Sequence, residues 1–166
     1  MNVDEHSFVG VYDEFAPKIL KYCQFRVSSK EDAEDIASHV FIRAWDYLAN
    51  GKAVENMRAF LYQIAHNLVI DHYRKNKDAK EISLDNPENP IDIPAEATFP
   101  DEMDHELLMK HVKGKMTELP DNYREAIILR YVNDLSIKEV AQAMAVTENN
   151  ASVILHRATD KLKQLV

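Results

Sequence analysis

At 166 residues, with 46% hydrophobic and 29% charged side chains, the chain has a globular composition and fits one ordinary domain or two small ones. Its single cysteine, Cys23, excludes an internal disulfide, no apolar run is long enough to span a bilayer, and Met1 to Glu5 is polar and acidic rather than basic then apolar, so a cytosolic protein without a membrane partner is expected. The net charge of −8 argues against a nucleic-acid partner only as a whole-chain average, because residues 1–77 carry −1, residues 78–106 carry −9 and residues 107–166 carry +2.

A first helix is expected from about His6, with Phe8, Val11, Tyr12, Phe15, Ile19 and Leu20 as its apolar stripe and Pro17 as a kink. Ser28 with Glu31 reads as a capping box for a second helix. That helix places Ala33, Ile36, Ala37, Val40, Phe41, Ala44 and Leu48 at helical spacing over more than four turns. Its outer face holds Asp32, Asp35, Ser38, His39, Arg43 and Asp46, which taken alone is what any solvated face looks like.

Asn50-Gly51 marks a loop. A third helix follows from about Asn56 to Lys77, with Met57, Phe60, Leu61, Ile64, Ala65 and Leu68 toward the core. It ends in a basic cluster, Arg74, Lys75 and Lys77, beside Tyr73 and the amides Asn67 and Asn76. Such a cluster suits a nucleic-acid backbone with bases nearby, and equally suits a basic helix end that complements the macrodipole.

Residues 78–104 contain four prolines and many acids with no sustained helical period, and read as an extended linker between two helical modules. The second module begins near His105, where Leu107, Leu108, Met109, Val112 and Met116 suggest a helix ending before Leu119-Pro120. A further helix is expected over Asp121 to Tyr131.

Ser136 with Glu139 fits a second capping box, and Ile137, Val140, Ala141 and Met144 give the helix it opens one buried face. Thr147 is an N-cap for a last helix with Ala151, Leu155, Ala158 and Leu162 on one side. Two short helices joined by a tight turn make the outline of a helix-turn-helix, whose second helix can enter the major groove. A plain helical hairpin in a bundle core shares this spacing, and the stretch alone does not choose.

Enzyme chemistry is not expected. The sequence has no Gly-rich phosphate loop, no H-E-x-x-H and no C-x-x-C pair. His66 and His72 are six apart and so on different helix faces, which speaks against a metal site. The acids Asp32, Glu34 and Asp35 share an open helix surface with no pocket implied. Neither a catalytic residue nor a cofactor is assigned.

Taken together, EDAEDIASHVFIRAWDYL, RAFLYQIAHNLVIDHYRKNK and LPDNYREAIILRYVNDLSIKEVAQAMAVTENNASVILHRATDKL resemble, in order and spacing, bacterial RNA polymerase sigma factors of the extracytoplasmic-function group. The resemblance implies an all-α chain of two small helical domains, 1–77 and 105–166, joined by an acidic, Pro-rich linker over 78–104, with a C-terminal helix-turn-helix. It implies that Asp32, Asp35, Ser38, His39, Arg43 and Trp45 meet the clamp helices of the polymerase largest subunit. It further implies that the loop from Ala49 to Glu55 and the third helix engage the promoter minus-ten element, with Asn67 contacting a base and Tyr73, Arg74, Lys75 and Lys77 along the strand. The linker would imitate a nucleic-acid strand inside the polymerase. The second module would grip the flap and read the minus-thirty-five element through Thr147, Glu148, Asn149, Asn150, Ser152, Val153, His156 and Arg157.

The chain departs from the pattern of the family it resembles on α-helical faces of both modules. Ser38 and His39 stand where that family usually has Gln and Glu, so the clamp contact is expected to be weakened or rebalanced. Three further departures lie in the last helix. Where the family commonly carries a basic residue, a serine and an arginine, this chain has Ser152, Val153 and Ile154. Minus-thirty-five reading is therefore expected to be weak, adenine-leaning through Asn149 or Asn150, or assisted by a recruiting DNA-bound protein. Val153 and Ile154 are expected to be exposed apolar residues available for a protein contact. An anti-sigma protein is a further partner of this group. The competing readings are a stand-alone helix-turn-helix regulator and a sigma-like adaptor that no longer reads DNA.

Overall fold

The computed structural model describes residues 5–79 and 114–165, and every regular element among them is helical. Residues 80–104, expected to be linker, and the helix expected from His105 up to residue 113 lie outside the described residues. The order is α1 (Glu5–Arg26), α2 (Lys30–Ala49), α3 (Met57–Ala79), α4 (Asp121–Ile127), a π turn (Ile128–Val132), α5 (Ile137–Met144) and α6 (Glu148–Leu165).

α1 runs through Pro17 as one helix. Pro17 is exposed, so the carbonyl one turn earlier that loses its N–H partner lies on the water side. Phe15, Ile19, Tyr22 and Cys23 are buried, and Arg26 continues the same stripe. Tyr12, expected in that stripe, is half exposed and meets Phe41 edge-on, with centroids 4.9 Å apart.

All seven apolar positions expected of α2 are buried. Its cap lies one residue later than the sequence suggested. Ser29, not Ser28, accepts from the Asp32 backbone N–H at 3.3 Å, which leaves Glu31 and Asp32 in the first turn, where the helix dipole favours acids.

α3 begins at an Asn56 cap, whose Oδ1 accepts from Ala59 N–H at 3.1 Å, and continues two residues past Lys77. Its fully buried side is Ala59, Leu61, Tyr62, Ala65 and Val69, while Met57, Phe60, Ile64 and Leu68 are half-buried. The buried stripe is rotated from the expected one because α3 is covered on two sides, by α1 and α2 and by α5.

Pro120 precedes α4, and the helix expected to reach Tyr131 instead widens at Ile128 into the π turn, closed by Asn133 N–H to Ile128 C=O at 3.0 Å. Ala126, Ile127, Ile128 and Leu129 are buried in succession. Four consecutive buried residues cannot share one stripe of a surface helix, and here α1, α5 and α6 enclose the segment from several sides. Each Ile or Leu so buried contributes about 1.5–3 kcal/mol.

The Ser136–Glu139 capping box is present in both directions, at 3.1 Å and 3.0 Å. α5 ends at Ala145, which takes the left-handed conformation at φ 58, ψ 45, and Val146 N–H returns to Ala141 C=O at 2.9 Å. Thr147 then caps α6 by accepting from Asn150 N–H at 3.1 Å. These contacts make the turn of the helix-turn-helix.

The two modules share one continuous core. Buried residues of α1, α2 and α3 cluster with those of α4, the π turn, α5 and α6.

Candidate nucleic-acid interface

On α2, the buried stripe fixes the opposite face outward, so Asp35, Ser38, His39 and Arg43 are exposed together. Asp32 is half-buried, its Oδ2 3.6 Å from His72 Nε2 on α3. Trp45 is set apart from them, tilted onto Phe8 of α1 with centroids 5.2 Å apart, which makes it partly a packing residue.

On α3, Asn67 is exposed beside the loop that precedes the helix. It lines a cleft of about 760 Å³ with Val54, Glu55, Phe60 and Gln63 on one wall and Lys138, Glu139 and Gln142 of α5 on the other. Arg74 and Lys75 are exposed beyond it, and Lys77 lies on the same helix. Tyr73 differs from them, because its hydroxyl donates to the Arg26 carbonyl and burial pushes its phenol upward. Its ring edge remains available.

On α6, Thr147, Glu148, Asn149, Asn150, Ser152, Val153, His156 and Arg157 are all exposed, above a buried face of Ala151, Ile154, Leu155 and Ala158. Ile154 was expected to be exposed; it is 8% accessible and belongs to the core. At α6 spacing it lies three residues after Ala151 and four before Ala158, and so falls on the apolar stripe. Val153 is 36% exposed, as expected. His156 Nε2 sits 3.4 Å from Asp160 one turn on. Asn150, Val153 and Arg157 line a second cleft, of about 440 Å³, facing His66 and Ile70 of α3.

One cluster was not anticipated. Glu125 of α4 is 1% exposed, and its carboxylate is shared by three groups of the first module. Tyr22 OH donates to Oε2 at 2.6 Å, Arg26 Nη1 donates to the same oxygen, and His66 Nδ1 lies 2.6 Å from Oε1. Arg26 also donates to Tyr22 OH at 2.6 Å and reaches Asp121 at 3.3 Å. Burial, with the Arg26 guanidinium close by, pushes the His66 imidazole down to about 4, and its Nδ1 is within hydrogen-bond distance of the Glu125 carboxylate. Against the opposing effect of burial, Arg26 and Arg124 hold the Asp121 carboxyl below its ordinary range. The sequence did carry a signal for this cluster. Arg26 stands at i+4 from Tyr22 on an otherwise apolar stripe, and a charge there requires a buried partner.

No group of metal-ligating side chains forms among the described residues, and no described helix is long and apolar enough to cross a membrane.

Comparison with known proteins places these elements. Residues 11–79 match the family described as Sigma-70 region 2, and residues 112–162 match Sigma-70, region 4. The chain is similar to the ECF RNA polymerase sigma factor SigM of Bacillus subtilis, 31% identical over 172 residues that cover 99% of this chain and 95% of that protein. It is 29% identical to SigW of the same organism, over 97% of this chain and 89% of that one. In fold it is similar to CnrH in complex with the cytosolic domain of CnrY (TM-score 0.71, 18% identity, 98% and 88% covered). It is also similar to the sigma factor RpoE in complex with the anti-sigma factor NepR from Bartonella quintana (TM-score 0.70, 20% identity, 95% of each chain).

Proposed function

The chain belongs to the extracytoplasmic-function sigma factors of RNA polymerase, transcription initiation factors of the sigma-70 type, and from that premise we propose how its surfaces divide the work. The outer face of α2, with Asp32, Asp35, Ser38, His39, Arg43 and part of Trp45, docks on the clamp helices of the largest polymerase subunit. The loop before α3 and Asn67 take the minus-ten element as it melts, holding a base extruded from the stack, while Arg74, Lys75 and Lys77 neutralise phosphates and Tyr73 offers a ring edge. The flap is gripped by the second module, which directs α6 to the minus-thirty-five element.

The observation that carries this division is the segregation on α6. Every residue from Thr147 to Asn150, together with Ser152, Val153, His156 and Arg157, is exposed, while the opposite side is sealed in the core. A bundle hairpin has no need of a capped helix end so exposed. The exposed set contains one arginine and no lysine, and guanine reading by bidentate arginine is worth about 1–3 kcal/mol per pair. Upstream reading is therefore weak or adenine-leaning through Asn149 or Asn150, and is assisted by a recruiting DNA-bound protein. The protein acts in the cytoplasm and is held in check by an anti-sigma partner.

Mapping of transcript starts made by core polymerase plus this chain on random DNA tests the reading. Discrete starts with a shared minus-ten element and a poorly defined upstream element are expected. Absence of starts, with core polymerase still bound, would identify an adaptor instead.

A further inference from the structure

Tyr47, in the last turn of α2, is a large ring left 37% exposed on the cleft that also holds Asn67. It leans on Phe60 of α3 with centroids 4.9 Å apart and planes at 45°. Lys52 Nζ, from the loop between the two helices, stands 4.9 Å from the centre of the Tyr47 ring. Gln63 and Asn67 follow Phe60 at helical spacing on the same side of α3, and all three line the cleft. Phe60 and Asn67 are thus about 10 Å apart along the helix axis, at about 1.5 Å per residue. At roughly 3.4 Å per stacked nucleotide, that distance spans about three nucleotides, so the two ends of the strip meet different bases. The cleft, about 760 Å³, is of a size that admits a small molecule, roughly 300–1,000 Å³. Glu55 and Glu139 also line it, which disfavours a phosphate inside while leaving an uncharged base free to enter.

We propose that Tyr47 is a stacking platform for a second unpaired base, a near neighbour of the one assigned to Asn67, and that Lys52 covers the ring until that base arrives and then moves to a phosphate of the same strand. The proposal rests on the initiation-factor reading for the source of the strand, and adds a subsite that Asn67 does not supply. A ring kept only for packing is buried, as Tyr22 and Tyr62 are at 0% and 1% exposed, whereas Tyr47 keeps over a third of its surface in water. Every base has a π face, so an aromatic ring holds whichever base the strand presents. An ammonium over an exposed ring is held more weakly than a base stacked on it, so the exchange runs toward the base. The displaced Lys52 then gains a phosphate, which keeps its charge outside the acidic cleft.

A labelled oligothymidine strand carrying one iodouracil, mixed with the chain alone and with the chain on core polymerase, tests the platform. Long-wavelength ultraviolet light couples iodouracil to an aromatic ring stacked on it, and peptide mass spectrometry identifies the ring. A cross-link at Tyr47 is expected, retained by Tyr47→Phe and lost in Tyr47→Leu. In fluorescence anisotropy with the same strand, Tyr47→Leu is expected to bind roughly tenfold more weakly and Tyr47→Phe as wild type does, with unchanged helicity by circular dichroism. Lys52→Gln is expected to keep the cross-link and to lower the slope of log affinity against log salt by about 0.7, the share of one phosphate contact on a single strand. No cross-link at Tyr47 in either mixture, or Tyr47→Leu binding as wild type does, overturns the platform. Tyr47→Phe as weak as Tyr47→Leu overturns it too, because the hydroxyl and not the ring would then be the contact. An unchanged salt slope in Lys52→Gln overturns the exchange. A cross-link at Tyr47 in a chain that yields no transcript with core polymerase overturns the initiation reading and leaves the platform standing.

Discussion

Arg26 and Glu125, 99 residues apart in the chain, meet as an ion pair from which water is excluded, the former 2% and the latter 1% exposed. Breaking such a pair from one side leaves a buried charge without its counterion. Arg26→Met is expected to destabilise the chain by about 3–5 kcal/mol, and Arg26→Met with Glu125→Leu to recover part of that loss. Urea unfolding of the single and double variants measures both, and equal losses would show that the pairing itself is not what matters.

His66 gives the fold a pH dependence above the carboxylate range. Its folded-state value, about 4, is below that of an unfolded histidine, so the unfolded chain binds the extra proton first. The contribution of His66 is complete above about pH 6.5 and is lost as pH falls toward about 4. Thermal unfolding between pH 7 and pH 5 should show a falling melting temperature, and His66→Gln should flatten that slope.

Ala145 holds the turn of the helix-turn-helix at a positive φ that costs a side-chain-bearing residue about 1–2 kcal/mol. Ala145→Gly relieves that strain while giving back some entropy in the unfolded chain, for a net gain of about 0.5–1 kcal/mol. A raised denaturation midpoint with an unchanged denaturant slope is the expected result.

Ser152 stands exposed on the reading face of α6 with room for a longer side chain. Ser152→Lys should make upstream-element binding by the holoenzyme roughly fivefold tighter and steepen its salt dependence by about 0.9 in the log–log slope, the signature of one further phosphate contact. Unchanged binding would mean that missing basic charge is not what limits this helix. Ile154 is unsuitable for the same experiment, because a charge there would enter the core.

Asn67 is the exposed amide proposed to meet the extruded minus-ten base. Asn67→Ala should slow open-complex formation by about tenfold, a hydrogen-bond loss of about 1.4 kcal/mol, with core polymerase binding unaffected. Permanganate footprinting of the melted strand reports the former and co-purification the latter.

Elements whose cause is local were legible in the sequence. The α2 stripe, the Ser136–Glu139 box and the Thr147 cap arise from spacing within one or two turns, and the structure has them as expected. What failed was set by distant packing. α3 turned its stripe because α5 covers a second side, α4 widened into a π turn because neighbours enclose it, and Ile154 entered the core through one more position on the α6 stripe. The charged cluster joins residues from three helices, and no window along the chain contains it. Even so, a lone arginine on an apolar stripe was there to be seen.

Glu139 has two carboxylate oxygens and two employers. Oε1 accepts the Ser136 N–H that starts α5, and Oε2 accepts the Asn56 amide that starts α3, so the first turns of two helices in different modules depend on one side chain. A protein in which one carboxylate holds both helix starts reports the seating of one half to the other without a moving part between them. The Ser136 amide is thus a natural gauge of module separation, readable by hydrogen exchange at a single peptide group.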